Sequence, residues 1–256
     1  MAEILNRRFT SSSTYHNALH GFRTGRGTRT ATLEAKLLQK LAAMREEVLY
    51  VIFLDLTKAY DTLDRSSCLD ILEGYNVGPN ARRMMKTYWR RLTMVARARG
   101  YYGTAFKGKR GMTQGDPLSP IIFNVVVDAV VRHWVNGLVD EAEAKGKTGR
   151  EGRHQLEVFY ADNGMVVSLD PAWLQGAFKA LLAIFDRVGL LTNVQKIVSM
   201  VCHPCQAGAG NRIEEAYRRR LTGVGRSYTE RQRERVVCGE CGEVLVVGSM
   251  LIHLMT

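Results

Sequence analysis

Apolar residues gather into two stretches of this chain that both lead to acid. The first, LYVIFLDLTKAYDTLDR, runs from Leu49 to Arg65 and opens with six apolar residues, Leu49 to Leu54. A short run rich in aromatic and branched side chains predicts a strand buried on both faces. Asp55 stands at its end, followed by Tyr60, Asp61 and Asp64. The second stretch, QLEVFYADNGMVVSL, runs from Gln155 to Leu169. There two apolar runs flank Ala161-Asp162-Asn163-Gly164, which predicts a tight hairpin with Asp162 at its tip and Asn-Gly as a favourable turn pair.

Helical periodicity fills much of the remainder. Thr30 to Val48 predicts a helix with apolar positions at Leu33, Leu37, Leu38 and Leu41. A short helix follows over Arg65–Tyr75, then a break at Gly78-Pro79-Asn80, with Asn80 as the cap of a basic helix from Ala81 to Leu92. Thr93–Arg99 and Tyr101–Lys107 alternate as a hairpin about Gly100. From Lys109 to Val135, glycines and prolines punctuate a rigid loop. Ser119 then caps an apolar core helix that starts near Pro120. Gly137–His154 is charged and glycine-rich, an exposed loop, and Pro171–Val188 is an amphipathic helix stopped by Gly189. Lys196 precedes a last short apolar strand. The order predicts an α+β fold, a split βαβ (ferredoxin-like) sheet with helices on one face. Three regions follow: 1–48, 49–205, and a basic tail, 206–256.

Two strands that each deliver a carboxylate to one sheet edge suggest a site for two divalent metals. Such pairs sit about 4 Å apart and drive in-line displacement at phosphorus. Composition sharpens the choice of partner. Among 256 residues, Lys+Arg number 36 against Asp+Glu 25, a net charge of +11. That excess points to a polyanion, nucleic acid first, against the alternative of a merely solubilising surface. The basic helix is open to the same two readings, and the segment His20–Thr28 is either a flexible loop or a phosphate contact. No apolar run approaches the ~20 residues of a membrane span, and the N-terminus lacks a signal-peptide core. Of the five cysteines, four form two C-x-x-C pairs, which fits a reduced, intracellular setting.

The tail carries a separate signal. Cys238, Cys241 and His253 have the spacing of the front of a zinc finger, without a fourth ligand before Thr256. Cys202 and Cys205 offer a different completion, a four-cysteine site. Cys68, in a helical stretch, reads as a core residue.

Taken together, FLDLTKAYDTLDR, TQGDPLSP, FYADN and GLLTNVQK, with HGFRTGRGT upstream, resemble the ordered motifs of reverse transcriptases of the non-LTR retrotransposon and group II intron type. The resemblance covers roughly residues 18–200. It implies a right-hand polymerase palm with partial fingers, acting on an RNA template, a DNA primer and deoxynucleoside triphosphates. It places Asp55, Asp162 and the Leu56 carbonyl on two Mg²⁺ ions, hard cations that take oxygen ligands. Tyr60 matches the aromatic that excludes a 2′-hydroxyl, with a core tyrosine as its alternative. Gln114 and Gly115 match contacts to incoming nucleotide and template, and Arg23, in the upstream block, is assigned to nucleotide or template with them. Lys196 matches a proton donor to pyrophosphate, against an ordinary surface lysine. Asp116 and Pro117 read as loop-shaping residues, Asp61 and Asp64 as cap or surface acids.

The chain also departs from the pattern. The family's hairpin carries two adjacent aspartates, and the second is Asn163 here. An amide keeps an acceptor oxygen but loses the charge, which implies weakened chemistry. The family's upstream finger strands are absent and the thumb region is short, so the expectation is a piece of a longer polyprotein. The competing expectation is an inactive nucleic-acid-binding remnant.

Overall fold

The computed structural model describes residues 15–144 and 155–202, and the backbone of two strand segments at 235–236 and 244–246. Helix α1, Thr28–Met44, leads into strand β1, Leu49–Thr57. A single helical turn, α2 (Ala59–Thr62), and helix α3 (Arg65–Gly74) follow. Asp64 caps α3, its side chain accepting from the Ser67 amide. Helix α4 spans Pro79–Arg91. It starts two residues before the expected Ala81, because Pro79 occupies the first turn, where a missing N–H costs nothing. Gly78, rather than Asn80, is therefore the capping position.

Strands β2 (Arg97–Ala98) and β3 (Tyr101–Tyr102) form a small separate hairpin about Gly100. Helix α5, Ser119–Ala144, runs seven residues past Gly137, where the charge pattern suggested a loop. Leu138 and Ala142 are buried, and that packing extends the helix. Although no apolar run was expected to reach membrane length, α5 passes on length and composition. Yet 67% of its apolar window lies buried inside the fold, as befits a core helix. Strands β4 (Gln155–Tyr160) and β5 (Asn163–Ser168) are followed by α6 (Pro171–Arg187), capped by Asp170. Strand β6 (Leu191–Thr192), a 3₁₀ turn at Val194–Lys196 and strand β7 (Val198–Cys202) come next. Within the basic tail, β8 (Arg235–Val236) and β9 (Val244–Val246) join the sheet beside β7.

The main sheet has the order β4-β5-β1-β7-β9-β8, with β6 also pairing β1, and every pairing is antiparallel. Strands β1 and β4 run parallel to each other with β5 between them. Alternation along β1 separates two apolar layers. Ile52, Leu54 and Leu56 face a large core filled by α3, α4, α5 and α6, including Phe123, Trp134 and Phe178. Leu49 and Val51 face a smaller cluster with Val158, Met165, Val167 and Ala42.

This second layer corrects the expectation of helices on one face only: α1 lies on the opposite side. It packs through Ala31, Ala35, Leu38 and Ala42, whereas Leu33, Leu37 and Leu41 are exposed. Small side chains let the helix sit close to the sheet, a preference that an apolar count does not register. Cover by α1 ends before the strand does. Phe53 is 37% exposed rather than buried, and the open part of this face leads directly to Asp55.

Candidate active site

The site begins where β1 leaves its helical cover. Asp55 shares a face with Val51 and Phe53 by strand alternation, and it stands opposite Asn163 in the β1·β5 ladder. The β4–β5 hairpin turns on Ala161 and Asp162, and Ala161 adopts a left-handed φ of +53°. The Asn-Gly pair therefore does not make the turn, as its sequence suggested, but begins β5. Gly164 serves a different need: a Cβ there would lie 2.7 Å from Phe159 Cε1 and 2.9 Å from Leu54 Cγ. Asp162 remains at the tip. The Leu56 amide donates to the Asp162 carbonyl at 3.1 Å, fastening the tip to the end of β1. Asn163 Nδ2 faces Asp162 Oδ1 at 3.4 Å.

A third segment closes around Asp55. The Asn193 amide donates to the Asp55 carbonyl at 2.8 Å, and the Lys196 amide to the Asn193 carbonyl at 2.9 Å. The 3₁₀ turn so formed carries Lys196 Nζ to 3.1 Å from Asp55 Oδ2. The sequence singled out Lys196; Asn193, which builds the turn, was given no role.

Tyr60 lies within reach of the Asp162 charge, half-buried and stacked on Phe123 with ring centroids 5.0 Å apart. Burial, and then the negative charge of Asp162, push its hydroxyl up to about 12, so it is neutral across the working range. The Met112 amide donates to the Tyr60 carbonyl, and the Gly111 amide to the Leu63 carbonyl at 2.9 Å. These bonds lay the TQGDPLSP loop against the segment that follows β1. Gly111 is required there: its φ is +77°, and a Cβ would fall 2.5 Å from the Asp61 carbonyl oxygen.

Within the loop, Gln114 and Gly115 form an exposed turn, Gly115 at φ +87°. Asp116 shapes the loop, as expected, accepting from the Leu118 amide and the Tyr88 hydroxyl, both at 2.9 Å. Asp64 is a cap, also as expected. Its bonds from Ser66 and the Ser67 amide hold its carboxyl below the usual range.

Two further groups escaped the sequence reading. Arg65 donates to the Gly108 carbonyl at 2.7 Å and the Gly111 carbonyl at 2.8 Å, with its guanidinium 5.9 Å from the Trp89 ring centroid. It clamps the loop's entry to α3 and α4. Gly21 is the other: a Cβ on it would meet the Ala161 nitrogen at 2.6 Å, directly behind the hairpin tip. Asn124 holds that contact, its Nδ2 donating to the Gly21 carbonyl at 2.8 Å. Arg23 donates from Nη1 to the carbonyls of His16 and Leu19 at 2.8 and 2.9 Å and lies over the Tyr15 ring. It braces the segment that carries Gly21.

The donor set is all oxygen: the Asp55 and Asp162 carboxylates, the Asn163 amide and nearby backbone. Its chemistry fits Mg²⁺, which takes hard ligands and retains water. No cluster of three or more His, Cys, Asp or Glu side chains suited to a metal forms among the described residues, so two carboxylates would share the charge. Cys238, Cys241 and His253 lie outside the described residues, as does Cys205. Cys202 packs in the smaller apolar cluster. Cys68 is fully buried, and burial pushes its thiol up to about 12.

The profile of the family described as reverse transcriptase (RNA-dependent DNA polymerase) matches residues 1–232. The chain belongs to the reverse transcriptase family. Its relatives place this reverse transcriptase domain with the non-LTR retrotransposons. It is 29% identical over 193 residues, 75% of its length, to the Pol polyprotein of the type-2 element R2DM of Drosophila melanogaster. Over 108 residues, 42% of its length, it is 34% identical to the R2 Pol polyprotein of Nasonia vitripennis. The chain spans only 18% and 10% of those two polyproteins. In fold, it is similar to apo telomerase from Candida tropicalis truncated from its C-terminal domain. That match has a TM-score of 0.58 at 17% identity, covering 82% of this chain and 40% of the other. The reverse transcriptase thus shares a polymerase fold with telomerase.

Proposed function

We propose that residues 49–205 form the palm of a right-hand polymerase that works inside the cell, copying an RNA template onto a DNA primer from deoxynucleoside triphosphates. Residues 1–48 supply part of its fingers. One observation carries this reading: Asp55 pairs with Asn163 across β1 and β5 while the Leu56 amide holds the Asp162 carbonyl. Two carboxylate residues from distant parts of the chain thereby reach one open sheet edge.

Asp55, Asp162 and the Leu56 carbonyl would hold Mg²⁺, which would supply Lewis acidity and charge neutralisation for nucleotidyl transfer. In that transfer the primer 3′-oxygen bonds to the α-phosphorus, the bond from that phosphorus to the pyrophosphate oxygen breaks, and the hydroxyl proton passes to solvent water. Lys196, released from Asp55, donates a proton to the pyrophosphate oxygen. Tyr60, rigid on Phe123, fills the space a 2′-hydroxyl needs. Gln114 and Gly115, on their exposed turn, meet nucleotide and template. Asn163 supplies an oxygen without charge, so transfer is slowed by orders of magnitude relative to a carboxylate at that position.

Extension of a DNA primer on an RNA template with Mg²⁺ tests this reading. Weak extension by the unmodified chain, abolished in Asp55→Ala, is expected. Extension that persists in Asp55→Ala overturns it. A second reading, a binding remnant without chemistry, is favoured by Asn163 and by the Lys196–Asp55 ion pair. RNA binding with no extension even after Asn163→Asp supports that reading instead.

A further inference from the structure

The β2–β3 hairpin is anomalous for a folded chain. Every residue from Val95 to Lys107 is exposed, so the hairpin buries neither face against the body of the protein. Yet its tip carries two tyrosines, Tyr101 and Tyr102, at 81% and 71% exposure, and Phe106 is exposed below them. A two-stranded ribbon with both faces bare is marginal in water, and adjacent aromatics left to solvent call for a partner. Being neighbours on a strand, the two tyrosines present to opposite faces of the ribbon.

The hairpin is nevertheless held at its base. Met94 and Phe106 exchange backbone hydrogen bonds at 2.8 Å in both directions, and Arg65 grips the Gly108 carbonyl just beyond. That same guanidinium grips Gly111, whose amide bonds to Leu63. The tip is thus coupled through a short rigid path to the loop that carries Gln114.

Charge selects the occupant. Between Glu73 and Asp116 the chain has ten lysines and arginines and no carboxylate. On the hairpin, Arg97 lies over the Tyr102 ring at 5.4 Å, which orients the ring and sets a cation beside it. A positive ribbon bearing bare aromatic faces is the combination that holds a single strand, phosphates on the cations and unpaired bases on the rings. A duplex offers no free base faces at that site, and an acidic protein would not need paired rings.

We propose that the β2–β3 hairpin is a stacking platform for single-stranded RNA, with bases on Tyr101 and Tyr102 and the backbone on Arg97 and Arg99. It rests on the reverse-transcriptase reading only in taking that strand to be template; binding itself requires no catalysis.

The test uses the full chain and three labelled probes of equal length: a mixed-sequence single-stranded RNA, its duplex, and an abasic single strand. Tyr101→Ala with Tyr102→Ala is expected to weaken binding of the RNA single strand about tenfold or more, leaving the duplex and abasic probes within about twofold. The paired Phe substitutions are expected to restore single-strand binding, which a loss of folding would not allow. Arg97→Gln with Arg99→Gln should lower the salt dependence by about 0.7 per charge removed. Unchanged single-strand affinity in the double Ala chain overturns the platform while leaving the polymerase reading in place. Equal loss on all three probes also overturns it. Failure of the unmodified chain to bind RNA overturns both.

Discussion

A single Cβ decides much at the back of the hairpin tip. Gly21 leaves no room: its added methyl would sit 2.6 Å from the Ala161 nitrogen, and backbone cannot swing aside as a flexible side chain does. Gly21→Ala should therefore destabilise the fold by about 1–3 kcal/mol, as overpacking does, and shift Asp162. Gly176 offers the opposite case. It lies within α6 with nothing within 4 Å of the added carbon, so Gly176→Ala should stabilise by about 0.5–1 kcal/mol. Denaturant unfolding of the two variants against the unmodified chain checks both signs together. Asp55, Asp162, Tyr60 and Lys196 were visible in the sequence because each sits in a short motif at a strand end or turn. Arg65 was not: its partners Gly108 and Gly111 lie more than forty residues away, and no local period marks such a bond. The bonds of Arg23 to His16 and Leu19 were hidden for a related reason, since a basic residue in a glycine-rich segment looks open to anions until the carbonyls around it are known.

Elements were legible to the extent that a local rule fixed them. Asp64 and Asp170 cap α3 and α6, and Gly189, at φ +78°, ends the last long helix. The rules failed where tertiary contact overrode them. Buried Leu138 and Ala142 carry α5 past Gly137, α1 turns three alanines and only Leu38 of its four expected leucines to the sheet, and Ala161-Asp162 displaces Asn-Gly from the turn. Asp64 permits a pH experiment on one element. Hydrogen bonds from Ser66 and Ser67 lower its folded pKa below the unfolded value. Its stabilisation is therefore complete above about pH 4 and is lost as pH falls through the folded pKa. Asp64→Ala should cost about 1 kcal/mol near neutrality, with the difference from the unmodified chain vanishing in acid. Unfolding curves at several pH values measure it. Trp134 anchors α5 to α6, 1% exposed and donating from Nε1 to the Ala177 carbonyl at 2.7 Å. Trp134→Ala should remove about 3–5 kcal/mol, read from the same curves.

Across the whole molecule, the two apolar layers do unequal work. The larger core under α3–α6 sets the position of β1 and β5, while the smaller layer under α1 stops short and leaves Asp55 uncovered. Strand order and the incomplete cover together make an open edge where charged groups can meet a polyanion. The net charge of +11 favours the same partner, so RNA affinity should fall steeply as salt rises. Nucleotidyl transfer at this edge, limited by Asn163, is the proposed activity. The direct measurement is the rate of primer extension on RNA with Mg²⁺ for the unmodified chain and for Asn163→Asp. A third carboxylate at the edge should raise the rate on the order of 10²-fold, with Asp55→Ala abolishing it in either background. An equal rate in the two chains, or extension that survives Asp55→Ala, would contradict the account.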